Sequence, residues 1–284
     1  MIAAKFTNII FWVLISFMLF SCKTRKSYKD LHQANQFARD GLYREAIDKY
    51  KKSLRYKNKQ HVVNRNLGMV YVKTGDYKNA ELHLKKSQAK YPDNFESNFY
   101  LGEAQRAQNK YADAIFHYKK ALAVQPNDYK TMKSLSWSFY KIRYYSEAIK
   151  TAKALLKSHP QDPQATIIMA RTLIKVKKPT SAYKILRRIE KTASPSTMPY
   201  IASVKGDALL SLGHTKKAKK SYRYALKNQP LLAGALLGFG RCLLKEKNLK
   251  GSVSYLERAV RSKPNLIEGR YLSLIHISEP TRPY

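Results

Sequence analysis

The sequence predicts an all-α solenoid of about seven helix–turn–helix units. Three observations predict it. Small residues recur in one frame of 34, as at Gly68, Gly102 and Gly206 or Ala80, Ala114 and Ala148. Prolines recur in the same frame at Pro92, Pro126, Pro160, Pro230 and Pro264. Apolar residues make up 44% of the 284 residues, enough for a long, narrow core. A fixed period of this length marks stacked units that bury their faces against neighbours rather than one globular core.

The chain opens on a segment of a different kind. Lys5 precedes an apolar run, Ile9 to Phe20 (IIFWVLISFMLF), which meets Ser21 and Cys22. A spanning helix needs roughly 20 apolar residues, so this run is the length of a secretory h-region. The ending Leu19-Phe20-Ser21-Cys22 resembles the bacterial lipobox, with Phe20 bulkier than that pattern usually shows. The resemblance implies a lipoprotein signal peptide over 1–21, with diacylglycerol on the Cys22 thiol. Residues 22–26 then form the lipidated cysteine and a short basic tether. Several acyl chains together hold a protein durably where one does not. The alternative is an uncleaved anchor with an incidental cysteine. No Asp follows Cys22, so by the same resemblance the outer membrane is favoured over the inner, with the rest of the chain facing the periplasm. The tether spans only ~15 Å.

The units follow in frame at 27–60, 61–94, 95–128, 129–162, 163–196, 199–232 and 233–266. Each has a local physical rationale. Small residues at the eighth and twentieth positions let the two helices of a unit cross closely: Ala34 and Ala46, Gly68 and Ala80, Gly102 and Ala114, Ala170 and Ala182, Gly206 and Ala218. Ala121, Ala225 and Ala259, near the twenty-seventh, let the second helix meet the next unit. The prolines end the second helix, because proline cannot donate the next helical hydrogen bond. Gly41, Gly75 and Gly213 fall in the hairpin turn, where a left-handed backbone favours glycine. These residues together resemble the tetratricopeptide repeat over about residues 27–266. That resemblance implies a right-handed superhelix whose first helices line a concave groove for peptides. Departures are Ser136 and Ser252 at small positions, Gln105 at the eleventh position and no Trp at the fourth. The fifth unit is the weakest match, and Thr192 to Pro199 (TASPSTMP) adds two residues after it. A kink or hinge is expected there, or simply a longer turn.

Residues 267–271 would begin a truncated eighth helix. Leu272 to Arg282 (LSLIHISEPTR) resembles the translation of a transposase-type sequencing adapter in all eleven residues. Residues 272–284 are therefore expected to be an adapter artefact, to be set aside in reasoning about the fold.

Mapped through the resemblance, the groove offers Arg65, Met69, Phe99, Glu103, Arg106, Lys133, Trp137, Tyr140, Ile167, Arg171, Lys175, Leu237, Arg241 and Lys245. Aromatic and basic side chains suit a peptide with apolar anchors and carboxylates. For Trp137 and Tyr140 the competing role is packing against neighbouring helices. The Lys/Asn clamp by which chaperone-binding members hold a peptide C-terminus is not reproduced.

The chain carries 54 Lys and Arg against 19 Asp and Glu, a formal charge of +35. Lys51-Lys52, Lys85-Lys86, Lys119-Lys120 and Arg187-Arg188 share two frame positions in the second helix. Residues that recur once per unit stack in rows, so a basic ladder is expected on the outer face. It reads either as a solvated surface or as a site for an anionic envelope surface. Nucleic acid would explain the charge too, but the export signal argues against it.

No phosphate-binding loop, HExxH motif or nucleophile elbow is present. His83 and His117 lie one unit apart, too far to share a metal. Cys242 reads as a buried thiol. No catalytic residue, metal ligand or cofactor site is expected. The leading expectation is a non-enzymatic scaffold, resembling the pilotin-like lipoproteins of pili and secretion systems and related envelope adaptors. The alternatives are the docking arm of an enzyme whose catalytic domain lies beyond residue 271, and a basic binder of peptidoglycan or another anionic surface.

Overall fold

A computed structural model of the chain describes residues 26–56 and 59–264. The leader with Cys22, residues 267–271 and the 272–284 tail lie outside the described residues. The described residues are helical with no strand. Helix α1 covers 26–39. It is followed by α2 (Tyr43–Ser53), α3 (Gln60–Thr74), α4 (Tyr77–Gln88), α5 (Phe95–Ala107), α6 (Tyr111–Val124) and α7 (Tyr129–Lys141). Then come α8 (Tyr145–Ser158), α9 (Pro163–Lys175), α10 (Pro179–Ile189), α11 (Met198–Ser211), α12 (Thr215–Asn228), α13 (Ala233–Lys245) and α14 (Leu249–Ser262). Odd helices are first helices of the expected repeats and even helices are second ones. None is long and apolar enough to cross a membrane, among the described residues.

The helix ends follow the frame. Asn94, Asp128 and Asp162 sit just before first helices and accept from the backbone N–H groups of Ser97, Thr131 and Ala165. Each satisfies a donor that the helix start would otherwise leave unpaired. At the other end, Gln125, His159, Gln229 and Lys263 are extended, and each precedes a proline. Proline disfavours the helical conformation at the residue before it. The hairpin turns are more uniform than the glycines suggest. Position 15 has a positive φ in every repeat: Gly41, Gly75, Asn109, Arg143, Lys177, Gly213 and Lys247, between 57° and 82°.

The chain divides into two compact units, residues 1–138 and 139–284, and the boundary falls within α7. In unit 1, Leu31, Val63, Leu67, Leu84 and Leu101 form one core with Ala34, Ala46, Ala80 and Ala104. In unit 2, Leu173, Leu186, Ile189, Ile201 and Val204 join α9, α10 and α11. That core runs across the 190–197 connection, so the two added residues lengthen a loop without separating the helices on either side. A second unit 2 core gathers Leu209, Tyr222, Phe239, Cys242 and Leu243.

Candidate functional site

Three repeats carry a polar knot that joins both of their helices. Tyr50 Oη donates to Asn35 Oδ1 at 2.7 Å, Tyr118 Oη to Glu103 Oε1 at 2.6 Å, and Tyr222 Oη to Asp207 Oδ1 at 2.7 Å. The tyrosines hold position 24 and the acceptors position 9. The other four repeats pair Leu84 with Met69, Ala152 with Trp137, Leu186 with Arg171 and Leu256 with Arg241. A buried phenol requires an acceptor, and the sequence supplies one only where the phenol occurs. The rings also need space. A Cβ at Gly102 would lie 2.6 Å from the Tyr118 ring, and one at Gly206 would lie 2.5 Å from that of Tyr222.

The two knots with carboxylates have different charge surroundings. In unit 1, Arg106 donates twice to Glu103, at 2.7 and 3.2 Å, and Ser134 Oγ donates to it at 2.6 Å. Burial pushes the Glu103 carboxyl up, but Arg106, Ser134 and Tyr118 outweigh it and hold it below the ordinary range. Arg65 likewise faces Glu96 at 4.0 Å. The expected aromatic–basic surface is therefore largely aromatic in unit 1. Phe99 stacks on Phe95 at 6.1 Å and meets Tyr100 edge-on at 5.1 Å, with Met69 half-buried. Lys133 lies over the Tyr129 ring at 4.7 Å. Trp137 is half-buried on α7.

In unit 2 the acid is short and enclosed, and the cations come from neighbouring repeats. Burial pushes the Asp207 carboxyl up; Tyr222 and the charges of Arg171, Arg241 and Lys175 offset only part of the shift. The charges of three cations thus bear on one carboxyl. The Lys141 ammonium is pushed down by burial and then by Lys263 and Arg171. Tyr140 tilts against Tyr145 at 6.3 Å, and Ile167 packs at the edge of the α9–α11 core. Lys175 and Lys245 are exposed. Leu237 corrects the map: it is buried beside Leu236 and Leu256 and lines no open surface.

The ladder residues Lys51, Lys52, Lys85, Lys86, Lys119, Arg187 and Arg188 are exposed, and Lys120 is half-buried with its ammonium 5.2 Å from the Phe116 ring. Lys85 and Lys110 each lie 2.8 Å from Glu81. Burial opposes ionisation there, yet the two lysines and Gln108 hold the carboxyl down at about 2. His83 and His117 pair with Asn64 and Asn98, at 2.7 and 3.2 Å. These asparagines hold position 4. Burial and nearby lysines push His117 down to about 4. No group of three His, Cys, Asp or Glu able to hold a metal occurs among the described residues. Cys242 is buried, and burial pushes its thiol up to about 11.

Comparisons with known proteins agree with the frame. The tetratricopeptide-repeat family model matches residues 65–129 and 204–267. A model for anaphase-promoting complex, cyclosome, subunit 3 matches 107–189. Among curated proteins none matches the sequence significantly. A tetratricopeptide repeat protein from Parabacteroides merdae superposes with a TM-score of 0.77 at 12% identity, covering 89% of this chain and 99% of its own. PilW, a type IV pilus biogenesis factor, gives 0.61 at 19% identity, covering 74% and 96%. PilF of Pseudomonas aeruginosa gives 0.56 at 18% identity, covering 77% and 98%. By frame, by geometry and by these matches, the chain is built of tetratricopeptide repeats.

Proposed function

We propose that the protein is a non-enzymatic adaptor of the bacterial envelope, lipid-anchored through Cys22 at the outer membrane with its repeats in the periplasm. Its first-helix surface takes up acidic peptide segments of envelope proteins, in pilus or secretion assembly. One observation carries the peptide reading: the charges of Arg171, Lys175 and Arg241, from two different repeats, all bear on the Asp207 carboxyl and favour a carboxylate there. Guanidinium groups bind carboxylates in a fixed fork geometry, and partial burial strengthens the pairing. Unit 1 carries a surface of its own, where the stacked Phe95 and Phe99 suit an apolar side chain of the kind that dominates binding energy. That pilus biogenesis factors share the fold supports the assembly context.

Fluorescence titration with peptides rich in Glu and Asp tests this reading. Arg171→Ala and Arg241→Ala should each weaken binding about tenfold, roughly one charge-assisted contact. Equal affinity for acidic and charge-neutralised peptides would reject it. For the anchor, Cys22→Ala should abolish labelling by a radioactive fatty acid; retained labelling would reject lipidation at Cys22.

A further inference from the structure

The outer face of unit 2 carries more than the ladder. Position 22 of three successive repeats is Lys150, Lys184 and Lys220; position 25 is Lys153, Arg187 and Arg223; position 29 is Lys157, Lys191 and Lys227. Positions separated by three and seven residues lie on one helical face, and here they span about 10 Å along each helix. All nine side chains are exposed. Among the described residues, none of them forms an ion pair. Helices α10 and α12 hold no acidic residue at all. By the repeat frame, in which residues recurring once per unit stack in rows, these nine form a three-by-three grid of cations. It stops abruptly at α14, where the same positions are Ser254, Glu257 and Arg261, and the last two pair at 3.9 Å. Unit 1 has no such grid, since its position 22 is Asp48, Leu82 and Phe116.

We propose that this face of α8, α10 and α12 docks on the surface of an anionic phospholipid bilayer. A two-dimensional grid matches a plane of headgroup phosphates better than the single line of a nucleic-acid strand. Strand binders interleave exposed aromatic rings for base stacking, and among the described residues of these three helices Tyr224 is the exposed ring. A cleft also opens beside the grid, lined by Leu156, Pro160, Ile185 and Ile189 with Arg188 and Gln161. Four apolar side chains beside one guanidinium and the polar Gln161, Thr166 and Thr192 suit the glycerol and upper acyl region of a lipid under its phosphate. The surface is separate from the groove, so neither proposal depends on the other.

The experiment uses the full chain reconstituted into vesicles and a membrane-impermeant amine reagent, with labelling at each lysine read by mass spectrometry. On vesicles of phosphatidylcholine with phosphatidylglycerol, the seven grid lysines should label at least fivefold more slowly relative to Lys175. On phosphatidylcholine alone the ratio should return to its detergent value, as it should in 1 M salt, where screening acts within about 3 Å. The triple variant Lys150→Glu, Lys184→Glu, Lys220→Glu should expose the remaining four lysines on the anionic vesicles. Equal ratios on the two vesicle types, or continued protection in the triple variant, overturn the proposal. So does protection that appears only with lipid A, or more strongly with duplex DNA in detergent.

Discussion

Glu103 in unit 1 and Asp207 in unit 2 hold the same position in their repeats, and each accepts a hydrogen bond from a tyrosine fifteen residues on. Glu103 is long enough to reach Arg106 on its own helix, so its charge is answered locally. Asp207 is one methylene shorter and enclosed, and the charges around it come from the repeats on either side. A knot with the same packing function thus answers its charge within one helix in one unit and draws on the charges of neighbouring repeats in the other. A repeat frame fixes where a side chain goes, while its length decides which neighbours it draws in.

The largest effect should come from exchanging the residue that faces the tyrosine from the next repeat. Unit 1 has Ser134 there and unit 2 has Gly238, where an added Cβ would lie 2.2 Å from the Tyr222 ring. Gly238→Ser should cost about 3 kcal/mol, the upper end of overpacking penalties, while Ser134→Gly should cost about 1. Urea unfolding midpoints measure both; equal costs would mean that the two slots are equivalent.

Removing the charge from the acids should have opposite consequences. Glu103→Gln leaves Arg106 half-buried and poorly paired, and should cost about 2 kcal/mol at pH 7. Asp207→Asn keeps an acceptor for Tyr222, as Asn35 does for Tyr50, and removes a buried charge; it should be neutral or stabilising. Their pH dependences differ in sign. The folded pKa of Glu103 is depressed, so its contribution is complete above about 4.3 and is lost as pH falls through the folded value. The folded pKa of Asp207 is raised, so stability falls as pH rises from about 3.9 through that value, and Asp207→Asn should abolish this fall. Unfolding of both variants across pH 3 to 8 checks the pair.

The smallest effects concern the turns. Unit 1 closes its hairpins on Gly41, Gly75 and Asn109, residues at ease with a left-handed backbone, whereas unit 2 uses Arg143, Lys177 and Lys247 beside Gly213. Arg143→Gly and Lys247→Gly should each raise stability by about 1 kcal/mol, and Gly75→Lys should lower it by as much. Thermal denaturation resolves changes of this size, and a loss of stability on Arg143→Gly would contradict the account.

Much of this was legible from the spacing. Proline and glycine act on their own backbone, so Pro126, Pro160 and Gly75 announce a helix end or a turn without help from distant residues. The groove map rests on positions that recur in phase and so share a face; Leu237 departs from it because it packs with Leu236 and Leu256 in a core. The tyrosine knots were harder to see. Their signal was present, since tyrosine at position 24 occurs only with Asn, Glu or Asp at position 9, but the partners belong to different helices and meet only once those helices cross. The left-handed Arg143, Lys177 and Lys247 were hidden because their side chains do not favour the conformation that the neighbouring packing imposes on them.

The uniform turn has one more consequence. Each hairpin reverses on the fifteenth residue of its repeat, whatever that residue is. Length along such a chain is therefore quantised. Excising residues 61–94, or duplicating them, would leave every remaining turn, stop and tyrosine slot in phase. A change of any other size has to be absorbed between helices, as the two residues before α11 already are. The molecule can be lengthened or shortened like a ruler, in whole divisions only.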